Sequence, residues 1–133
     1  MAEPSPLPDG LDAPYHEGLR AHRLTLPRCG SCGTWQWPPE EICWKCHRFE
    51  LIWEDVDPKG HIFSWTRVWH AAKPSLADQV PYLVVLVDLP QAGGIRLIGN
   101  LLGERTQPVH CGDEVAAAFE DSPGGYTLLQ WKR

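Results

Sequence analysis

Two Cys-x-x-Cys pairs constrain this chain more than anything else in it. Cys29-Gly30-Ser31-Cys32 and Cys43-Trp44-Lys45-Cys46 stand ten residues apart. That spacing lets four sulfurs converge on one tetrahedral ion. Zn²⁺ is satisfied by such a closed thiolate cage, so Cys29, Cys32, Cys43 and Cys46 are expected to ligate a structural Zn²⁺. Iron is the alternative that a tetrathiolate site accepts, and it would make the chain an electron carrier. A metal ribbon of this size owns almost no apolar core. The ion therefore supplies much of its folding free energy, on the order of 10–16 kcal/mol in zinc-finger peptides. The residue after the second cysteine of each knuckle is expected at φ > 0. Gly33 meets that freely, and His47 is among the more tolerant non-glycine residues there.

The flanking segments differ in kind. Residues 1–14 hold Pro4, Pro6, Pro8 and Pro14 and read as a flexible leader. In residues 15–24, Tyr15, Leu19 and His22 recur at helical spacing, which predicts a short helix unable to bury its apolar stripe alone. Residues 25–50 form the metal module, with a strand over 25–28 and another over 34–37 that Pro38-Pro39 ends. Residues 51–133 carry β signals throughout. Strands are expected at 51–56, 61–70, 82–89, 95–101, 115–119 and 126–131, with turns at Asp57-Pro58-Lys59-Gly60, Gly93-Gly94 and Ser122-Pro123-Gly124-Gly125. So many strands without a helix must hide their edges, and closure is the economical solution. The expected architecture is mainly β: a short helix, a zinc ribbon and a five-stranded OB-fold barrel over 51–133. An SH3-like barrel fits the same pattern.

Charge and motifs narrow the function classes. No apolar run is long enough to span a bilayer, no secretory signal opens the chain, and the thiols suit a reducing compartment, so a cytoplasmic protein is expected. There are 17 acidic residues against 12 Lys and Arg. Residues 15–48 are slightly basic, while residues 49–133 hold eleven acids against seven bases, a poor match for a phosphate backbone. The six histidines are scattered, and no P-loop, nucleophile elbow or paired-histidine metal motif occurs. No catalytic residue is assigned. Cys111 follows His110, but neighbours in an extended segment point apart, so a buried, inert thiol is expected there. Seven tryptophans suit base stacking, a protein interface, or core filling where ribbon meets barrel.

The order of parts carries a resemblance. Tyr15-His16-Glu17-Gly18-Leu19 leads to the cysteine ribbon with Pro38-Pro39. Phe63-Ser64-Trp65-Thr66-Arg67-Val68, Pro81-Tyr82 with its apolar strand, Ile95 to Leu101 and Gly112-Asp113-Glu114-Val115 follow. Over residues 15–131 the chain resembles the acyl-CoA-associated family that joins a rubredoxin-like zinc ribbon to an OB-fold domain. The resemblance implies a subunit without chemistry of its own. Such subunits accompany thiolase-like or lipid-transfer-protein-like enzymes, aldolases or thiolases acting on acyl-CoA esters in steroid and lipid catabolism. It implies a hetero-oligomer, with a CoA ester near the shared interface. On this reading Tyr15, Leu19, Arg20, Arg23, Trp35 and Trp37 are the expected partner contacts. A single-stranded nucleic-acid binder is the alternative.

Overall fold

A computed structural model of the chain describes residues 6, 7 and 9–133. The rest of the proline-rich leader, residues 1–5 and 8, lies outside the described residues. The only α-helix among them is α1 (Ala13–Arg20), shorter than the 15–24 expected and shifted. It begins earlier because Pro14 occupies its first turn, where a missing N–H costs nothing. It stops at Arg20 because the chain enters a Schellman turn. His22 stands at φ 57, His22 N–H donates to Leu19 O at 2.9 Å, and Arg23 N–H donates to Gly18 O at 2.8 Å. Gly18, a weak helix former, is needed for the next step: a Cβ there would stand 2.5 Å from Thr25 Oγ1. Its absence lets α1 lie directly on the following strand.

That strand, β1 (Leu24–Cys29), pairs antiparallel with β2 (Leu51–Val56) from Leu24↔Val56 to Cys29↔Leu51. The segment 51–56 is therefore a strand as expected, but its partner is the strand leading into the first knuckle. Cross-strand side chains fasten the pair. Arg23 Nη1 donates to Asp55 Oδ2 at 2.8 Å and Thr25 Oγ1 to Asp55 Oδ1 at 2.6 Å. These bonds, Thr25 first and Arg23 second, hold the Asp55 carboxyl below its ordinary range. Leu24, Leu26 and Leu19 are buried beneath. The expected strand over 34–37 reduces to a single bridge, Arg28↔Trp35. Gln36 turns its side chain into the cysteine loop instead, and Pro38-Pro39 bars extension.

The second sheet contains β3 (Lys59–Val68), β4 (Tyr82–Leu89), β5 (Ile95–Asn100), β6 (Glu114–Asp121) and β7 (Thr127–Lys132), in the order β5-β4-β3-β6-β7. In β4, Leu83, Val85, Val87 and Leu89 point inward while Tyr82, Val84, Leu86 and Asp88 are half-covered. β3 carries a bulge between Ile62 and Ser64, which coils the strand and turns Phe63 outward. The edges meet through a parallel bridge, Leu101↔Trp131. Leu102 N–H donates to Trp131 O at 2.8 Å and Asn100 N–H to Gln130 Oε1 at 2.6 Å. An antiparallel five-stranded sheet closed by one parallel contact is a nearly closed barrel with OB-fold connectivity. Trp131, fully buried, is the largest of its completely buried side chains.

By packing, the chain divides into two compact units. One runs to Pro58 and takes in Pro90–Ile95 and Phe119–Leu128; the other holds Lys59–Leu89, Arg96–Ala118 and Leu129–Arg133. Cys111 departs from expectation. It sits exposed in the turn between His110 and Asp113, where His110 N–H donates to Asp113 Oδ2 at 2.9 Å. The turn residues are not in extended backbone, so the alternation argument does not reach them.

Candidate metal centre and its surroundings

The four cysteine sulfurs converge. Cys29 Sγ lies 3.6 Å from Cys46 Sγ, and Cys32 Sγ lies 3.6 Å from Cys43 Sγ. All four lie within 4.8 Å of one another. A tetrahedron with Zn–S bonds of about 2.3 Å has edges of about 3.8 Å, so the cage already has nearly the size the ion needs.

The two knuckles are built alike. In the first, Ser31 and Cys32 N–H groups donate to Cys29 Sγ at 3.4 and 3.5 Å. In the second, Lys45 and Cys46 N–H groups donate to Cys43 Sγ at the same distances. Gly33 N–H closes on Cys29 O at 2.9 Å and His47 N–H on Cys43 O at 3.0 Å. Four N–H dipoles aimed at two sulfurs stabilise thiolates, the form that binds metal. Cys32 Sγ and Thr34 Oγ1 lie 3.2 Å apart. Thr34, through its hydroxyl first and its backbone second, pulls the Cys32 thiol down to about 6. This donor set and geometry fit a structural zinc site, and zinc is the cofactor the ribbon defines.

Gly33 and His47 stand at φ 77 and 62, the left-handed backbone anticipated at both. His47→Gly should therefore raise stability by about 1 kcal/mol, whereas His47→Val should lower it by about 1–2 kcal/mol. Chemical denaturation of the zinc-loaded protein measures both.

One residue important to the site was missed in the sequence. Gln36 is buried, and its amide donates to Glu40 O at 3.2 Å and Ile42 O at 3.0 Å while its Oε1 accepts from Trp44 N–H at 3.2 Å. It thereby shapes the approach to the second knuckle. Its only sequence signal is a polar residue between Trp35 and Trp37.

The six expected partner contacts fall in varied settings. Leu19 is only 2% exposed and belongs to the core. Tyr15 packs on Trp37, ring centroids 4.7 Å apart, and burial, with Asp12 second, pushes its phenol well above the ordinary range. Trp35 lies under the Arg28 guanidinium at 4.7 Å and against Gly93, where a Cβ would stand 2.7 Å from its ring. Arg23 is committed to Asp55. Arg20 is exposed and makes no ion pair among the described residues.

The fold and the cage together define a zinc-ribbon protein with an OB-fold barrel. Comparison with known proteins agrees. The model for the rubredoxin-like zinc ribbon domain of ChsH2 matches residues 16–51, and that for the ChsH2 C-terminal OB-fold domain matches residues 53–120. The chain belongs to this ChsH2 family, the DUF35 proteins. It is 32% identical over 112 residues to a DUF35 domain-containing scaffold protein of Methanocaldococcus jannaschii, covering 79% of this chain and 76% of that one. It is 29% identical over 142 residues to the 3-oxo-4,17-pregnadiene-20-carboxyl-CoA hydratase alpha subunit of Mycobacterium tuberculosis, covering 97% of this chain but only 44% of that subunit. Among solved structures it is similar to a chain of the Ltp2-ChsH2(DUF35) aldolase, with TM-score 0.82, 27% identity and 98% of each chain covered. A DUF35-family protein of unknown function from Sulfolobus solfataricus, at TM-score 0.61, 18% identity and coverage of 93% and 85%, shares the fold.

Proposed function

We propose that the chain is a non-catalytic accessory subunit that binds and supports a thiolase-like acyl-CoA enzyme, a retro-aldolase or thiolase of steroid or lipid side-chain catabolism. The observation that carries this reading is the end-to-end similarity to a chain of an aldolase assembly, 98% of each chain at TM-score 0.82. The scaffold name of one relative and the alpha-subunit name of the other, which belongs to a hydratase, support a place in a multi-subunit enzyme. In this reading the chain works in the cytoplasm, α1 and the adjoining ribbon face the enzyme, and any CoA ester meets the subunit only at the shared surface.

The six residues then divide the work. Arg20, unpaired and exposed, reaches across. Half-buried Trp35 and Trp37 supply aromatic surface, Tyr15 backs Trp37 from within, Arg23 fixes the helix end through its pair with Asp55, and Leu19 seats the helix from beneath. Arg20→Glu should weaken assembly about tenfold, a loss of ~1.4 kcal/mol, while zinc content stays the same. Co-expression with a thiolase-like acyl-CoA enzyme, size-exclusion chromatography and an acyl-CoA cleavage assay test the reading. Separate elution of the two wild-type proteins would sink it, as would thioester turnover by this chain alone. The nucleic-acid alternative has Phe63 on an outer sheet face, but Arg96 stacks on that ring at 3.7 Å. The net charge of −5 also opposes a polyphosphate.

A further inference from the structure

A groove of about 280 Å³ lies beside the metal ribbon, lined by Leu11, Phe49, Leu51 and Glu41. Its apolar lining is wet: Phe49 is 72% exposed and Leu11 43%. An adjoining cleft shares Leu51 and Glu41 with it and brings in Glu40, Glu50 and Arg48 beside Cys29 and Cys43. The Arg48 guanidinium donates to Ser31 Oγ at 2.8 Å. The carboxylates of Glu40, Glu41 and Glu50 hold no cation among the described residues. A few residues further on, Glu54 and Asp55 each hold an arginine. Four thiolates on one divalent ion leave the neighbouring centre net negative as well. Exposed aromatic surface with Glu41 at its edge, beside a cleft whose three carboxylates outnumber its single Arg48, is unfavourable in the isolated chain and complementary to a cationic, apolar visitor.

We propose that this groove receives a segment of the partner enzyme that inserts an apolar side chain flanked by Lys or Arg. The proposal rests on the accessory-subunit reading and deepens it: the groove continues the ribbon face beside α1 but is lined by no residue of α1 itself. The apolar residue would cover Phe49, Leu11 and Leu51, and its cationic neighbours would meet Glu41 and then Glu40 or Glu50. Complementary charge fixes the register of such a contact and rejects acidic segments.

The full-length chain, with Phe49 replaced by p-benzoylphenylalanine, is co-expressed with the thiolase-like partner that the assembly test above identifies and irradiated. The expected product is a cross-link to an apolar stretch of that protein beside Lys or Arg. In parallel, Phe49→Ser and Glu41→Lys are each expected to weaken assembly about tenfold with zinc content and circular dichroism unchanged. A cross-link to this chain's own residues 1–8, or to a second copy, would overturn the proposal. So would undiminished assembly by both variants. A complex weakened by Arg20→Glu but by neither groove variant removes the groove alone. Failure of the wild-type proteins to assemble removes the accessory reading and the groove with it.

Discussion

Cys43→Ser is expected to cost the ribbon its metal and its fold together. Cys43 is buried, its sulfur accepts from Lys45 and Cys46 N–H, and its backbone closes the knuckle through His47 N–H and Arg48 O. A serine oxygen reaches less far and is not a thiolate at neutral pH. Three thiolates hold Zn²⁺ far less tightly, and metal binding here is folding free energy, on the order of 10–16 kcal/mol in the isolated zinc fingers that set the scale. The expected result is substoichiometric zinc by mass spectrometry and loss of fixed structure from Cys29 to Glu50. A strong chelator should do the same to the wild type, and acid, which protonates the thiolates, should act in the same direction. A variant that remains metal-free and folded over that span would remove the structural role of the ion.

The second large effect is expected in the barrel. Trp131→Ala should destabilise it by about 3–5 kcal/mol, the usual cost of emptying a fully buried aromatic site. Trp131 has no exposed surface, and its backbone carries the bridge to Leu101 and accepts from Leu102 N–H. Its neighbourhood has little room to relax, because Gly99 approaches so closely that a Cβ there would stand 3.0 Å from the indole. Trp131→Phe should cost markedly less. It keeps an aromatic ring in place and deletes a buried indole N–H that has no hydrogen-bond partner among the described residues. Urea titrations of the three proteins give the order. Equal losses for Ala and Phe would mean that the indole's shape, not its apolar bulk, holds the barrel.

The parts of this structure that could be read in advance are those written locally. The four cysteines dictated the cage, and the left-handed backbone at Gly33 and His47 followed from knuckle geometry. The strand Tyr82–Leu89 is a nearly continuous valine- and leucine-rich run, broken only by Asp88 and stopped by Pro90, so its bounds are plain. What escaped prediction depends on distant partners. Nothing within residues 51–56 says that they pair with 24–29 rather than with a barrel strand, since β preference measures surroundings more than sequence. The end of α1 hinged on His22 taking a conformation usually left to glycine. Gln36 looked like the polar half of an alternating strand, because its three bonds go to backbone groups of a loop that exists only once the knuckles have formed. Cys111 lies in a turn, not a strand, so strand alternation does not govern its burial.

The pairing of Cys29 with Leu51 has an evolutionary corollary. Everything from Gly30 to Glu50 is the tip of a single hairpin whose stem is β1 and β2. The metal module is therefore inserted at one place in that stem, tied down besides by Trp37 on Tyr15 and Trp35 on Gly93, and a change in its length would not reroute the chain through the barrel. Relatives that have lost their cysteines should keep the stem and replace the tip with an ordinary tight turn.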